Sequence, residues 1–203
     1  IMRHVADNAG AIRRLVSEMT DEEIEHALVF LRKNRSGWRP FRTFMSAWSI
    51  KHPRAALTWA MSNLPKGGDR SFVMGAALAK WVASDPQAAL DWALALTDEQ
   101  GRDNALSIVF RTWARLDPRL AAGKLADVQN FDARSKAIGE MAYYWAGRNR
   151  DAATAWAANL QDIDRVSAIA SIAEQVYDTD KGQGEPWLRG LPDNCLDNAV
   201  MAA

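Results

Sequence analysis

The sequence predicts an all-α solenoid of antiparallel helix hairpins with about 32 to 33 residues per repeat, and three observations predict it. Tryptophan recurs in almost equal steps, at Trp48, Trp81, Trp113 and Trp145. A helix-start signal follows each of these markers. Ahead of them the apolar residues fall at spacings of 1, 3 and 4, as in Val73, Met74, Ala77, Leu78 and Trp81, which is a helical stripe. Sustained strand-type alternation is absent. A lone pair of short helices cannot bury its apolar face, so such units must stack.

The first element, residues 1–36, holds two predicted helices, Asn8 to Glu18 and Asp21 to Lys33, as a divergent first pair or a terminal cap. Thr20 and Glu23 stand at capping-box spacing ahead of the second. Residues 37–192 are the tandem repeats. Arg70, Arg102 and Arg134 each precede the next Trp by the same interval, and Arg165 precedes Tyr177 by one place more, which marks the last unit. Each Arg opens a helix A of about 12 residues, and the set is expected to tie neighbouring units together through Asp or backbone carbonyls. The links after the markers contain His52-Pro53, Asp85-Pro86, Asp117-Pro118 and Asn149-Arg150-Asp151. Asp can cap a first turn, and Pro at the first helical position forfeits no hydrogen bond, so Asp85, Asp117 and Asp151 are expected caps. An Ala-rich helix B follows, as in Ala55, Ala56, Leu57, Trp59 and Ala60. In the third unit Lys124 stands where the second Trp would be, which predicts different packing there. Trp38 and Trp187 fall outside the main register. The Gly-containing run from Asp178 to Gly184 is expected to be a mobile loop, and residues 193–203 to begin an incomplete repeat.

Composition narrows the function classes. The 25 Lys plus Arg balance 25 Asp plus Glu, leaving no net field to attract nucleic acid or an anionic membrane. Apolar runs stop far short of the roughly 20 residues of a membrane span. Cys195 is the only cysteine, which excludes an internal disulfide and a Cys-based zinc site; His4, His26 and His52 share no metal-ligand spacing. Phosphate-loop, dinucleotide, nucleophile-elbow and His-Glu-x-x-His patterns are missing. Catalytic residues, cofactors and metal ligands are therefore all assigned as none. The start at Ile1 and the Ala-rich end point to a domain of a longer chain.

The period, together with Ala88, Ala89, Leu90, Trp92 and Ala93 after Asp85, resembles the tetratricopeptide and Sel1-like repeat superfamily. It is similar, too, to Trp-Ala, Asp-Pro helical repeats of uncharacterised bacterial proteins. The resemblance covers roughly Gly37 to Pro192, without the loop proline that closes a tetratricopeptide unit. It implies a right-handed α/α superhelix whose A helices line a concave groove for a peptide or protein segment, and it carries over no catalytic residue.

Within helix A, the positions −9, −5 and −2 relative to each Trp do not repeat in character. Stacking aligns them into a ribbon, because spacings of 4 and 3 share one helix side. The candidate groove residues are Arg39, Thr43, Phe72, Ala76, Asn104, Ile108, Arg111, Lys136, Glu140, Tyr143 and Tyr144. Ser167, Ser171 and Glu174 take the corresponding places in the last unit. An ordinary solvated face would vary in the same way. The expected function is a protein-interaction scaffold rather than an enzyme. Two alternatives stay open: the non-catalytic helical superstructure of a larger, cell-wall-active enzyme, and an RNA-binding helical repeat.

Overall fold

A computed structural model describes residues 9–33 and 38–191, apart from the Trp38 side chain. His4, Cys195 and the predicted incomplete repeat lie outside the described residues. Within them the chain forms twelve α-helices and no strand. None of these helices is long and apolar enough to cross a membrane.

Two compact units divide the chain, Ile1–Ala88 and Ala89–Ala203. In the first, α1 (Ala9–Glu18) and α2 (Asp21–Lys33) pack on α3 (Trp38–Lys51). Helix α3 pairs with α4 (Pro53–Asn63), and α5 (Gly68–Ser84) lies against both. Thr20 and Glu23 form the expected capping box, with the Thr20 N–H donating to Glu23 Oε2 at 2.8 Å and the Glu23 N–H to Thr20 Oγ1 at 3.3 Å. Helix α5 starts from Gly67, whose φ of +132° is open only to glycine. Helix α6 (Pro86–Leu94) follows.

The second unit contains α7 (Glu99–Leu116), α8 (Pro118–Gly123), α9 (Phe131–Ala146), α10 (Arg150–Ala158), α11 (Asp162–Thr179) and α12 (Gly184–Arg189). Helix α9 packs against both α7 and α11, while α8, α10 and α12 form the second arms of the hairpins. The A helices run to 14–18 residues, longer than expected. Helix α8 is the exception anticipated at Lys124. It stops short of two full turns, and a 3-10 turn at Leu125–Asp127 turns Leu125 and Val128 inward in place of an indole.

The marker tryptophans occupy equivalent places. Each accepts, at its carbonyl, the N–H of the residue four further on: His52 to Trp48 at 2.7 Å, Asp85 to Trp81 at 2.7 Å, Asp117 to Trp113 at 2.8 Å and Asn149 to Trp145 at 2.8 Å. These donating residues all leave the helical conformation, with φ between −154° and −136° and ψ between 74° and 93°, which turns the chain out of helix A into helix B. Asp85 caps by accepting from the Ala88 N–H, and Asp117 from those of Arg119 and Leu120. In the fourth hairpin the cap is Asn149, which accepts from the Ala152 N–H, and not Asp151, which lies within the first turn of α10. The Asn149 side chain stands at the turn itself and reaches the free N–H groups; Asp151 serves only the helix dipole.

Burial corrects the marker of the last unit. Tyr177 is half exposed to solvent, whereas Val176 is fully buried and its carbonyl accepts the Asp180 N–H at 2.9 Å. Val176 is therefore the equivalent of the tryptophans. Counted from it, Arg165 falls in step with Arg70, Arg102 and Arg134, and Trp187 falls in the place held by Trp59, Trp92 and Trp156. Trp187 is thus in register, and the hairpin pattern continues into α12. The Asp178 to Gly184 run contains a hydrogen-bonded turn, in which Asp180 accepts from the Gln183 and Gly182 N–H groups.

Arg70, Arg102 and Arg134 make ties of the expected kinds. Arg70 donates to the Leu64 carbonyl and Arg102 to the Leu96 carbonyl, each back across the interhelical loop. Arg134 reaches instead into the next repeat, pairing with Asp164 at 2.7 Å.

Candidate functional site

The ribbon positions are the side of the A helices that the core leaves open. Positions −3, −4, −7 and −8 relative to the marker are buried in α5, α7 and α9; those at −9, −5 and −2 are half-buried or exposed in every repeat. Hydrophobic periodicity sets this division, because one stripe of each helix is consumed by packing.

In the second unit this side carries two adjoining clefts. The larger, about 600 Å³, spans α7, α9 and α11. Its floor consists of small residues, Ser107, Gly139, Ala170 and Ser171, and its walls are Lys136, Glu140, Tyr143, Tyr144 and Glu174. The small side chains let the helices approach: a Cβ on Gly139 would lie 2.9 Å from Ser171 Oγ, and the Ser135 and Ser167 hydroxyls bond at 2.8 Å. The smaller cleft, about 510 Å³, lies between the N-terminal halves of α7 and α9, lined by Glu99, Gln100, Asp103, Phe131, Asp132, Ser135 and Lys136.

Four predicted residues meet here: Lys136, Glu140, Tyr143 and Tyr144. The Tyr143 hydroxyl donates to Asp178 at 2.8 Å, and its ring stands edge-on to Tyr144 at 5.1 Å. Arg115 covers the other ring, its guanidinium carbon 4.1 Å from the Tyr144 centroid. Asn104, Ile108 and Arg111 are on α7 but line neither cleft. In the first unit, Arg39 is exposed and accepts at its carbonyl from the Thr43 hydroxyl, Ala76 is half-buried, and Arg42 sits 3.8 Å over the Phe72 ring. Arg39, Thr43, Phe72 and Ala76 all stand apart from that unit's own cleft of about 770 Å³, which lies against α4. The floor residues carry a sequence signal of their own. Ser107, Gly139 and Ala170 all stand at position −6 from a marker, as Gly75 does in the first unit, and at Gly139 the small residue is where two helices come close.

Charge sets the character of the larger cleft. Glu140 is held above the ordinary carboxylic range first by burial, with Arg111 and Arg115 partly offsetting it and Glu174 adding to it. Between the unfolded and folded titrations the folded chain holds the extra proton, so stability falls as pH rises through that interval. Glu140→Gln is accordingly expected to raise the thermal midpoint at neutral pH by on the order of 1 °C, and to have no effect near pH 4. Calorimetry at the two pH values checks this; an equal shift at both would reject the burial account.

Among the described residues no group of three or more His, Cys, Asp or Glu side chains is placed to hold a metal ion. Comparison with known proteins finds no matching family model, no matching curated protein and no matching solved structure.

Proposed function

We propose that the protein is a non-catalytic interaction scaffold, and that the open side of α7, α9 and α11 receives a segment of another protein. The observation that supports it most is the pair of adjoining clefts along the non-repeating side of stacked A helices, both lined by aromatic residues, with a half-buried carboxylate in the larger. Variable polar and aromatic side chains over a floor of small residues form a surface on which rim anchors can hold a backbone. The excess of carboxylates weighs against a phosphate backbone as the occupant. Membership of the tetratricopeptide-like superfamily, and the right-handed superhelix it implies, are part of this proposal. Phe72, with Arg42 seated on its ring, is left out of the receiving surface.

Panning a displayed library of random dodecapeptides against the full chain is expected to enrich related sequences. Tyr143→Ala should weaken their binding about ten-fold, roughly 1.4 kcal/mol, without altering the circular dichroism spectrum. No enrichment, or unchanged affinity in the variant, rejects the reading.

A further inference from the structure

We infer that the cleft between the N-terminal halves of α7 and α9 seats an arginine side chain of the bound segment, an inference that rests on the receiving surface proposed above. The key residue is Asp103. Its side chain is only 10% exposed; Oδ2 meets Lys136 Nζ at 3.3 Å, and Oδ1 is buried with no hydrogen-bond donor. A carboxylate oxygen removed from water and left without a donor is costly, so such groups are normally satisfied. Glu99 and Asp132 line the same cleft, and three carboxylates against the single ammonium of Lys136 leave it two charges negative.

The bland account is that acidic residues favour helix N-termini. It covers Glu99 and Asp132, which stand in the first turns of α7 and α9. It does not cover Asp103, one turn deeper and buried. A metal ion does not fit either, because these carboxylates do not converge. The occupant that fits is an organic cation with several donors. A guanidinium can bond both oxygens of one carboxylate and still reach a second, whereas an ammonium is a compact point charge. Phe131, at the cleft edge and 56% exposed, offers a ring face for its planar group.

Lys136 then acts as a tethered stand-in cation. Its side chain is 55% exposed and held by one long contact, so it can swing aside as the arginine enters. This gives opposite signs for two substitutions. Asp103→Asn removes the acceptor, and Lys136→Gln removes the competitor.

The probe is the set of dodecapeptides enriched on the full chain, resynthesised with arginine kept or exchanged for citrulline, its uncharged analogue. One arginine per peptide is expected to lose about ten-fold in affinity on exchange. That loss should vanish in Asp103→Asn, and Lys136→Gln should bind the arginine form more tightly. If circular dichroism shows Asp103→Asn unfolded, Glu99→Gln combined with Asp132→Asn replaces it, with an expected loss of about three-fold confined to the arginine form. The inference is overturned, and the receiving surface retained, by enriched peptides without arginine, by equal binding of the citrulline forms, or by an arginine preference that survives the variants. A library that yields no binder overturns both.

Discussion

Trp48→Ala is expected to remove about 3–5 kcal/mol of stability from the first unit, read as a lowered midpoint in urea unfolding. Trp48 is fully buried, in a cluster that includes Ile12 and Val16 of α1, Ile24 and Leu28 of α2, and Trp59 of α4. Its ring meets Trp59 edge-on at 6.3 Å, and its indole N–H donates to Asp21 Oδ1 at 2.6 Å. Truncation therefore opens a cavity where the N-terminal pair meets the first repeat. Trp48→Phe isolates the polar part: it keeps most of the ring and deletes the donor, at an expected cost of about 1 kcal/mol. Burial alone would raise the Asp21 pKa, but hydrogen bonds from His52 and Trp48 and the charges of His52 and Lys51 outweigh it, holding the group below its ordinary value of 3.8. A depressed carboxylate stabilises the fold above its unfolded pKa, and that share is lost as pH falls through the folded one. The Trp48→Phe deficit should consequently shrink in acid below the ordinary carboxylate range. A loss under about 1 kcal/mol for Trp48→Ala would place the ring outside the core.

The sequence reading succeeded where every repeat solves the same packing problem. Trp48, Trp81, Trp113 and Trp145 recur because each ends helix A at the same turn, and the carbonyl ties of Arg70 and Arg102 recur with it. It failed where one residue type outweighed position. Tyr177 drew the register by a single place because it is aromatic, although Arg165, Asp180 and Trp187 all count correctly from Val176. Bulk at the marker matters less than being buried there. The candidate site was half legible: periodicity gave the open side of the A helices, including Lys136, Glu140, Tyr143 and Tyr144. Asp103 escaped because it sits just ahead of the ribbon position at Asn104, at a repeat position that holds serine at Ser71 and Ser135. A carboxylate in step with two serines was visible in the letters. Its burial depends on how closely α7 and α9 approach, which no single-chain pattern encodes.

The same limit governs core volume, and the second large effect follows from it. At position −3 from the marker the repeats carry Met45, Leu78, Phe110 and Ala142, all fully buried. Periodicity fixes their burial and not their size, so the space around each must differ: wide where α7 holds a phenyl ring, narrow where α9 holds a methyl. Phe110→Ala is expected to cost about 3–5 kcal/mol, because a rigid helical surround collapses only partly into the vacated space. Ala142→Phe inserts a ring where none fits, at an expected cost of about 1–3 kcal/mol or more through off-rotamer packing and backbone shifts. Chemical unfolding of the two variants separates a jigsaw core from a forgiving one. If both changes cost under about 1 kcal/mol, the A helices slide to absorb volume, and the close approach at Gly139 that shapes the larger cleft is not a fixed feature of the fold.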